Sequence, residues 1–251
     1  MRRVTRTALP KDTQRALEQK QARADQRRQA GELNVQQEWD RARKTKALKR
    51  VHRELRTMAG TQQRCMYCCD SHGTDMEHFW PKTGYPERMF VWPNLLLCCT
   101  ECGRFKGGSF PTAGNLPLLV DPATDDPWQH LDFDPPTGNI VARFQLATNE
   151  WSKRGEATVL ALQLDRREAL AEGYKKTHAR LSKAIKYALE WCEPNAEDLV
   201  AMLQAADDHG LLGWCFGPTG RNQQPFASLR EQHPTIWDAC QEHLAPAPGT
   251  V

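Results

Sequence analysis

Two Cys-x-x-Cys pairs constrain the fold of this chain more than any other feature. Cys65 and Cys68 form the first pair, and Cys99 and Cys102 form the second. Cysteines three residues apart in a tight turn can both reach one tetrahedral Zn²⁺, and a second pair completes a site of four thiolates. The roughly 30 residues between the pairs are too few for a hydrophobic core of their own. We therefore predict a structural zinc that clamps a small module.

Each pair has a neighbouring cysteine that could take the place of a ligand. Cys69 follows the first pair directly, and Cys98 precedes the second. The spacing of three residues selects the pairs named above, and the two neighbours stay alternatives.

Composition narrows the class of protein. A chain of 251 residues with 39% apolar residues fits one large domain, or a small domain with helical additions. Six of the nine cysteines cluster around the two pairs, which is typical of a metal site in a reducing compartment. The sequence has no run of 18 apolar residues and no apolar stretch behind its basic beginning. We expect a cytoplasmic protein that does not enter a membrane.

The charge is distributed unevenly along the chain. Residues 1–60 hold 17 Lys and Arg against 7 Asp and Glu, whereas the rest of the chain holds 17 against 24. A basic arm on an acidic body is typical of a protein that binds a polyanion or an acidic partner. A solvated helix without a specific partner is the simpler alternative. We expect the arm to bind nucleic acid, with a protein partner as the second choice.

Hydrophobic periodicity gives a coarse secondary structure for the first half. Residues 1–30 have few large apolar side chains, so we expect an exposed segment with short helical stretches. An apolar stripe from Val35 predicts one helix that ends at Gly60. Between the cysteine pairs the pattern predicts a strand ending at His78 and a second strand over Met89 to Trp92. A helix over Thr100 to Lys106 completes a ββα arrangement.

The second half is predicted to be mainly helical. A long helical stretch runs from Glu156 to Trp191 and can split near Asp165, Asn195 can cap the next helix, and a last helix covers Thr235 to Leu244. Four aromatic residues there can form either a core or a partner-docking patch: Trp214, Phe216, Phe226 and Trp237. The predicted fold class is α+β, with a basic helical arm (1–60), a zinc-clamped core (61–150), a helical subdomain (151–244) and a disordered tail (245–251).

Three polar residues between the cysteine pairs suggest chemistry. Hydrolysis of a phosphodiester needs a base to deprotonate water and a divalent cation to stabilise charge on the phosphate. His78 suits the base, the adjacent Glu77 suits a hard cation such as Mg²⁺, and Asn94 could orient the imidazole. Taken singly, a Glu-His pair is more often an exposed pair without a chemical role, and an Asn is more often a turn residue. Their position between two zinc-binding turns favours the catalytic interpretation.

The same stretch resembles a known family. The segments that carry the resemblance are RCMYC (64–68), MEHFWPK (76–82), NLLLCCTEC (94–102) and Lys106-Gly107, with LPLLVDPATDDPWQHLDF (116–133) downstream. They are similar to HNH nucleases of the ββα-metal (His-Me finger) type that carry a four-cysteine zinc. More narrowly, they resemble the Septu-type, PtuB-like nuclease subunit, also found beside some retrons. The resemblance covers roughly half of the chain strongly.

The resemblance implies roles for individual residues. His78 would be the general base, Asn94 would position it, and Glu77 would bind the catalytic Mg²⁺ or Mn²⁺. Lys106 would lie near the phosphates, and we expect Lys82 and Arg104 to contact nucleic acid as well. The resemblance further implies DNA as substrate, a phage-defence role, an ABC/SMC-like ATPase as partner and assembly into a larger complex.

One position departs from the family pattern. The residue after the last zinc cysteine is usually Asn or His and supplies a second ligand to the catalytic metal, but here it is Gly103. Either Asp75 substitutes, or water holds the metal loosely, or catalysis has been lost. Two hypotheses follow: a metal-dependent DNA endonuclease, and a zinc-stabilised nucleic-acid or protein adaptor that keeps the shape without the chemistry.

Overall fold

A computed structural model describes residues 1–190 and 195–244 of the chain. Over these residues the protein combines helices with four two-stranded antiparallel sheets, as an α+β fold requires. The chain divides into two compact units. The N-terminal unit comprises Val4–Tyr67 and Ser71–Thr124, and the C-terminal unit comprises Met1–Arg3, Cys68–Asp70 and the chain from Asp125 onward. The domain boundaries at residues 60 and 150 stay a prediction.

The N-terminal unit contains four helices and four short strands among the described residues. They are α1 (Lys11–Gln29), α2 (Val35–Ala42), α3 (Lys46–Met58), β1 (Asp75–His78), β2 (Leu95–Cys98), α4 (Thr100–Lys106), β3 (Thr112–Ala113) and β4 (Leu116–Pro117). Leu48, Val51 and Leu55 recur at helical spacing on α3 and are fully buried, so this face forms the core. The face also contacts β2.

Two predictions for the basic arm are wrong. Residues 1–30 are not an exposed segment of short helical stretches, because Lys11–Gln29 is one helix that buries Leu17 and Ala24. These two residues are seven positions apart and therefore share a face. The single helix predicted from Val35 to Gly60 is instead two helices, α2 and α3, interrupted at residues 43–45.

The second strand of the central module lies later in the sequence than predicted. A strand over Met89 to Trp92 is wrong: this segment follows a 3-10 turn at Pro86–Arg88 and leads into another at Trp92–Asn94. Strand β2 instead covers Leu95–Cys98 and pairs antiparallel with β1, with Asp75 opposite Cys98 and His78 opposite Leu95. All four residues of β2 are buried, so the strand lacks the alternation that marks a half-buried one. Asn94 therefore precedes the second strand rather than following it.

The C-terminal unit contains two hairpins and six helices among the described residues. They are β5 (Leu131–Asp134), β6 (Asn139–Ala142), β7 (Phe144–Gln145), β8 (Glu150–Trp151), α5 (Lys153–Leu162), α6 (Glu168–Leu189), α7 (Ala196–Ala206), α8 (Leu212–Cys215), α9 (Phe226–Gln232) and α10 (Pro234–Leu244). The split near Asp165 is confirmed, and so is the cap, because the Asn195 side chain accepts hydrogen bonds from the backbone of Glu197 and Asp198. The predicted helix end at Trp191 and the tail 245–251 lie outside the described residues.

The four aromatic residues of this unit form its core rather than a docking patch. Each of Trp214, Phe216, Phe226 and Trp237 is at most 3% exposed. No helix within residues 1–190 and 195–244 combines the length and the apolarity that a membrane crossing needs.

Candidate active site

Four cysteine sulfur atoms converge beside the β1–β2 pair. The Sγ atoms of Cys65, Cys68, Cys99 and Cys102 all lie within 4.8 Å of one another, and all four residues are buried. A tetrahedral Zn²⁺ at about 2.3 Å from each sulfur would separate the sulfurs by about 3.8 Å. The group can therefore hold a zinc ion, and a buried set of four thiolates is a closed, structural type of site.

Backbone geometry shapes both zinc-binding turns. The amide of Cys65 donates to the Ser71 carbonyl at 2.9 Å, and the Met66 amide donates to the carbonyl of Leu97 in β2 at 2.9 Å. In the second turn the Cys102 amide donates to the sulfur of Cys99 at 3.4 Å, across the first turn of α4.

The two neighbouring cysteines stand outside this group. Hydrogen bonding to Cys65 and Cys99, together with burial, raises the pKa of the Cys98 thiol far above its ordinary range. The Cys98 sulfur donates to the Cys99 carbonyl at 3.2 Å. Cys69 has a left-handed backbone conformation, with a φ of 52°, and is not a member of the group of four. The group of four matches the spacing of three residues.

Strand β1 points its two candidate catalytic residues in opposite directions. Successive side chains of a strand alternate between its faces. On one face Glu77 forms an ion pair with Lys106 of α4. On the other face the ring of His78 contacts the ring of Trp39, in α2. The carboxylate and the imidazole therefore occupy separate surroundings although they are adjacent in sequence.

The carboxylate of Glu77 is bonded to a buried cation. Lys106 has no exposed side-chain surface, and its Nζ donates to Oε1 of Glu77 at 2.9 Å and to the His78 carbonyl at 2.8 Å. Glu77 keeps 21% of its side chain exposed. A Cβ at position 103 would lie 3.8 Å from Oε2 of Glu77, so a side chain there would face this second oxygen. In this structure Lys106 thus neutralises Glu77 instead of facing solvent, and its contact with phosphate stays a prediction.

His78 is held as a neutral imidazole. Its Nε2 lies 3.0 Å from the carbonyl oxygen of Met89. Because a carbonyl can only accept, Nε2 carries the hydrogen and Nδ1 is left with the lone pair. Burial lowers the pKa of His78 to about 3, the hydrogen bond to Met89 opposes this, and the charges of Lys82 and Lys106 add to it.

Asn94 fixes the backbone around His78 rather than the ring itself. Its Oδ1 accepts from the Trp80 amide at 2.7 Å, and its Nδ2 donates to the carbonyls of Trp80 at 3.1 Å and of Arg88 at 2.9 Å. Arg88 is next to Met89, whose carbonyl binds the imidazole. Asn94 therefore acts on His78 through the loop, by closing the segment between β1 and β2.

The remaining predicted residues lie around this centre. Asp75 is exposed, shares the Glu77 face of β1 and accepts hydrogen bonds from the hydroxyls of Thr74 and Thr100. Arg104 is exposed on α4, and Lys82 is half-buried in the loop after β1. Asp75 also lines a cavity of about 180 Å³ with Trp39, Arg43, His52, Thr74 and Met76.

Sequence reasoning missed three contacts of the site. No signal in the sequence indicated the Met89 carbonyl, because every residue has a backbone carbonyl and the residue type does not show which one binds His78. Trp39 was predicted only as part of an apolar stripe, yet its ring lies 4.3 Å from that of His78. A cluster of half-buried aromatic rings after β1, at Trp80, Tyr85 and Phe110, was visible as residue types but not as a group.

The site thus combines a four-sulfur metal site with an acidic-histidine strand and a short helix. No protein-family profile matches the chain, and no solved structure matches it. The chain is similar to a Septu protein PtuB of Bacillus mycoides (strain KBAB4), with 31% identity over 55% of this chain and 52% of that protein. It is also similar to a Septu protein PtuB of Bacillus thuringiensis, with 24% identity over 56% of this chain and 51% of that protein. The chain spans about half the length of these curated relatives.

Proposed function

We propose that this chain is a metal-dependent HNH endonuclease that hydrolyses DNA phosphodiesters as the effector of a Septu-like anti-phage system. The observation that carries the proposal is the geometry of β1, β2 and α4, which holds Glu77, His78 and Asn94 in one small unit beside a four-sulfur site. Similarity to two Septu PtuB proteins over about half of the chain supports the defence role.

The imidazole of His78 serves as the general base, although the burial that lowers its pKa to about 3 disfavours the imidazolium that proton transfer produces. With Nε2–H bound to the Met89 carbonyl, Nδ1 is the nitrogen that accepts a proton from the attacking water. Asn94 keeps the loop that carries this carbonyl in place. Trp39, packed against the ring, restricts its rotation.

Glu77 would hold the catalytic cation, with Asp75 on the same face of β1. Among the described residues, no group of three or more His, Cys, Asp or Glu other than the four cysteines comes within ligand distance. The carboxylates of Glu77 and Asp75 fit a Mg²⁺ ion that keeps several waters and binds through one or two carboxylates. When bound, the cation stabilises negative charge on the phosphate and the leaving oxygen.

Basic residues supply the polyanion contacts. Arg104 is exposed and Lys82 is half-exposed near the site, and the arm of residues 1–60 carries a net charge of +10. We further propose that the protein acts in the cytoplasm in a larger complex with an ABC/SMC-like ATPase, as the resemblance implies.

Plasmid cleavage with Mg²⁺ or Mn²⁺ tests the proposal, with and without an ATPase from a Septu-type system. We expect His78→Ala to lower the rate by ~10²–10⁴ because it removes the base. His72→Ala is the matched control, since His72 is an exposed histidine six residues earlier and should leave the rate unchanged. Equal rates for the native chain and His78→Ala, or no cleavage by either, would exclude the nuclease.

A second candidate function rests on the Lys106–Glu77 ion pair. A carboxylate that is already neutralised by a buried ammonium, with glycine at position 103, favours an adaptor that keeps the zinc-clamped shape without the metal chemistry. Such an adaptor would bind DNA or a protein partner with equal affinity in the presence and absence of Mg²⁺.

A further inference from the structure

Three aromatic rings form a half-buried cluster directly after β1. Trp80 lies 4.8 Å from Tyr85 and 4.5 Å from Phe110 between ring centroids, and Tyr85 lies 5.6 Å from Phe110. We call these three residues the aromatic platform. Phe110 also contacts the buried Phe79, next to His78, at 5.3 Å. The platform is therefore attached to the end of the strand that carries the candidate base.

A guanidinium lies on one side of the platform. The Cζ atom of the exposed Arg88 is 4.4 Å from the centre of the Trp80 ring, a cation–π arrangement. Asn94 binds the backbone of both members of this pair, Trp80 through its amide and carbonyl and Arg88 through its carbonyl. One buried amide thus fixes the backbone of the loop beside His78 and of the stacked pair together.

Two rings of the platform carry a polar group, the indole N–H of Trp80 and the hydroxyl of Tyr85. Neither the indole N–H of Trp80 nor the hydroxyl of Tyr85 forms a hydrogen bond with any residue in the described part of the chain. All three rings keep part of their surface open to solvent. The ring planes lie at 80°, 47° and 69° to one another, so the cluster offers separate, partly open ring faces rather than one plane. Such faces, with unused hydrogen-bonding groups and a guanidinium over Trp80, have the chemistry of a nucleobase site.

We propose that the aromatic platform and Arg88 stack an unpaired nucleobase of the substrate, in the loop that directly follows His78. This inference deepens the proposed function, on which it rests, because it names the substrate class of the same site. Bases inside a duplex are already stacked on one another, so a ring platform can reach only a base that is single-stranded or displaced. The preferred substrate is therefore single-stranded or locally unpaired nucleic acid.

Binding without cleavage tests this inference. Fluorescence anisotropy would compare a labelled single-stranded oligonucleotide with its blunt duplex, without added Mg²⁺ or Mn²⁺. We expect tighter binding of the single strand by the native chain. Tyr85→Leu, which keeps apolar bulk without a ring, should weaken single-strand binding about 5- to 150-fold, the range measured for loss of one base–aromatic stack. Tyr85→Phe should retain the affinity, and neither change should affect duplex binding.

Two further variants keep the test decisive. Arg88→Lys keeps the charge but loses the planar group on an exposed side chain, so it should weaken single-strand binding at little cost to folding. Tyr187→Leu removes a tyrosine that is 53% exposed on α6 and should change nothing. Equal affinity for single strand and duplex, or native affinity of both Tyr85→Leu and Arg88→Lys, would overturn the inference.

The two proposals fail in different ways. A chain that binds single strands through the platform but never cuts them would exclude the nuclease and leave the platform. A chain that cuts DNA at unchanged rates and affinities after the platform substitutions would exclude the platform and leave the nuclease.

Discussion

Lys106, whose side chain is fully buried, donates from Nζ to Oε1 of Glu77 at 2.9 Å. The ammonium occupies one of the two oxygens that a divalent cation would use. A cation that binds at Glu77 therefore meets a fixed positive charge, and in a partly buried site such repulsion is screened less than at the surface. The affinity of the proposed cation site should therefore depend on this ion pair.

Replacing Lys106 should make the site more responsive to metal. We expect Lys106→Met to lower the free energy of unfolding by about 1.5–3 kcal/mol without metal, the usual value of a hydrogen bond to a charged group. Mn²⁺ should then raise the melting temperature of Lys106→Met more than that of the native chain, because Glu77 has lost its ammonium. Differential scanning fluorimetry across a Mn²⁺ titration measures this. The double variant Lys106→Met/Glu77→Gln is the control and should lose the extra shift; equal shifts in Lys106→Met and the native chain would contradict the prediction.

Position 103 offers a gain-of-ligand experiment. A side chain at this position faces Oε2 of Glu77, so Gly103→Asn should supply a second donor to the cation. We expect the Mg²⁺ concentration for half-maximal cleavage to fall by about tenfold, equivalent to 1.4 kcal/mol. Gly103→Ala is the control: its Cβ would make ordinary contacts at 3.8 Å, and alanine in a helix should add about 1 kcal/mol of stability. If Gly103→Asn and Gly103→Ala need the same Mg²⁺ concentration for half-maximal cleavage, a ligand role at this position is ruled out.

Zinc content distinguishes the two adjacent cysteines before α4. Cys99 belongs to the four-sulfur group, whereas Cys98 is a protonated thiol that donates to a carbonyl. We expect Cys99→Ser to lose zinc and to unfold at a lower temperature, because a structural zinc contributes directly to folding. Cys98→Ser should retain one equivalent of zinc, as measured by metal analysis of the purified protein. Loss of zinc from both variants alike would mean that the group of four is assigned incorrectly.

The sequence predicts the parts of the site that depend on local spacing. Cysteines three residues apart, the strand ending at His78 and the helix from Thr100 to Lys106 all follow from periodicity over a few residues. The second strand was misplaced for a physical reason. The aromatic and branched residues around Val91 have strand propensity, but prolines on either side favour 3-10 turns, and the uninterrupted apolar run of β2 has no strand signature.

The surroundings of Lys106 could not be read from the sequence. A lysine near the end of a short helix is normally solvated, and its partner Glu77 lies 29 residues earlier. Only the pairing of β1 with β2, and the return of α4 onto β1, brings the two together. The same holds for Asn94, whose three backbone partners come from two separate places in the loop.

The alternation of β1 limits how this segment can change in length. Glu77 and His78 face opposite sides of a four-residue strand whose ends are pinned by backbone hydrogen bonds from Thr74 to Cys98 and from Phe79 to Asn94. An insertion of one residue inside the strand would exchange the two environments, placing an acid against Trp39 and an imidazole against Lys106. An insertion in the exposed turn at residues 83–84 would alter neither. The Glu-His dipeptide therefore has to keep its position relative to the two faces of the strand, whereas a change in the length of the turn would be felt at the Trp80–Tyr85 contact instead.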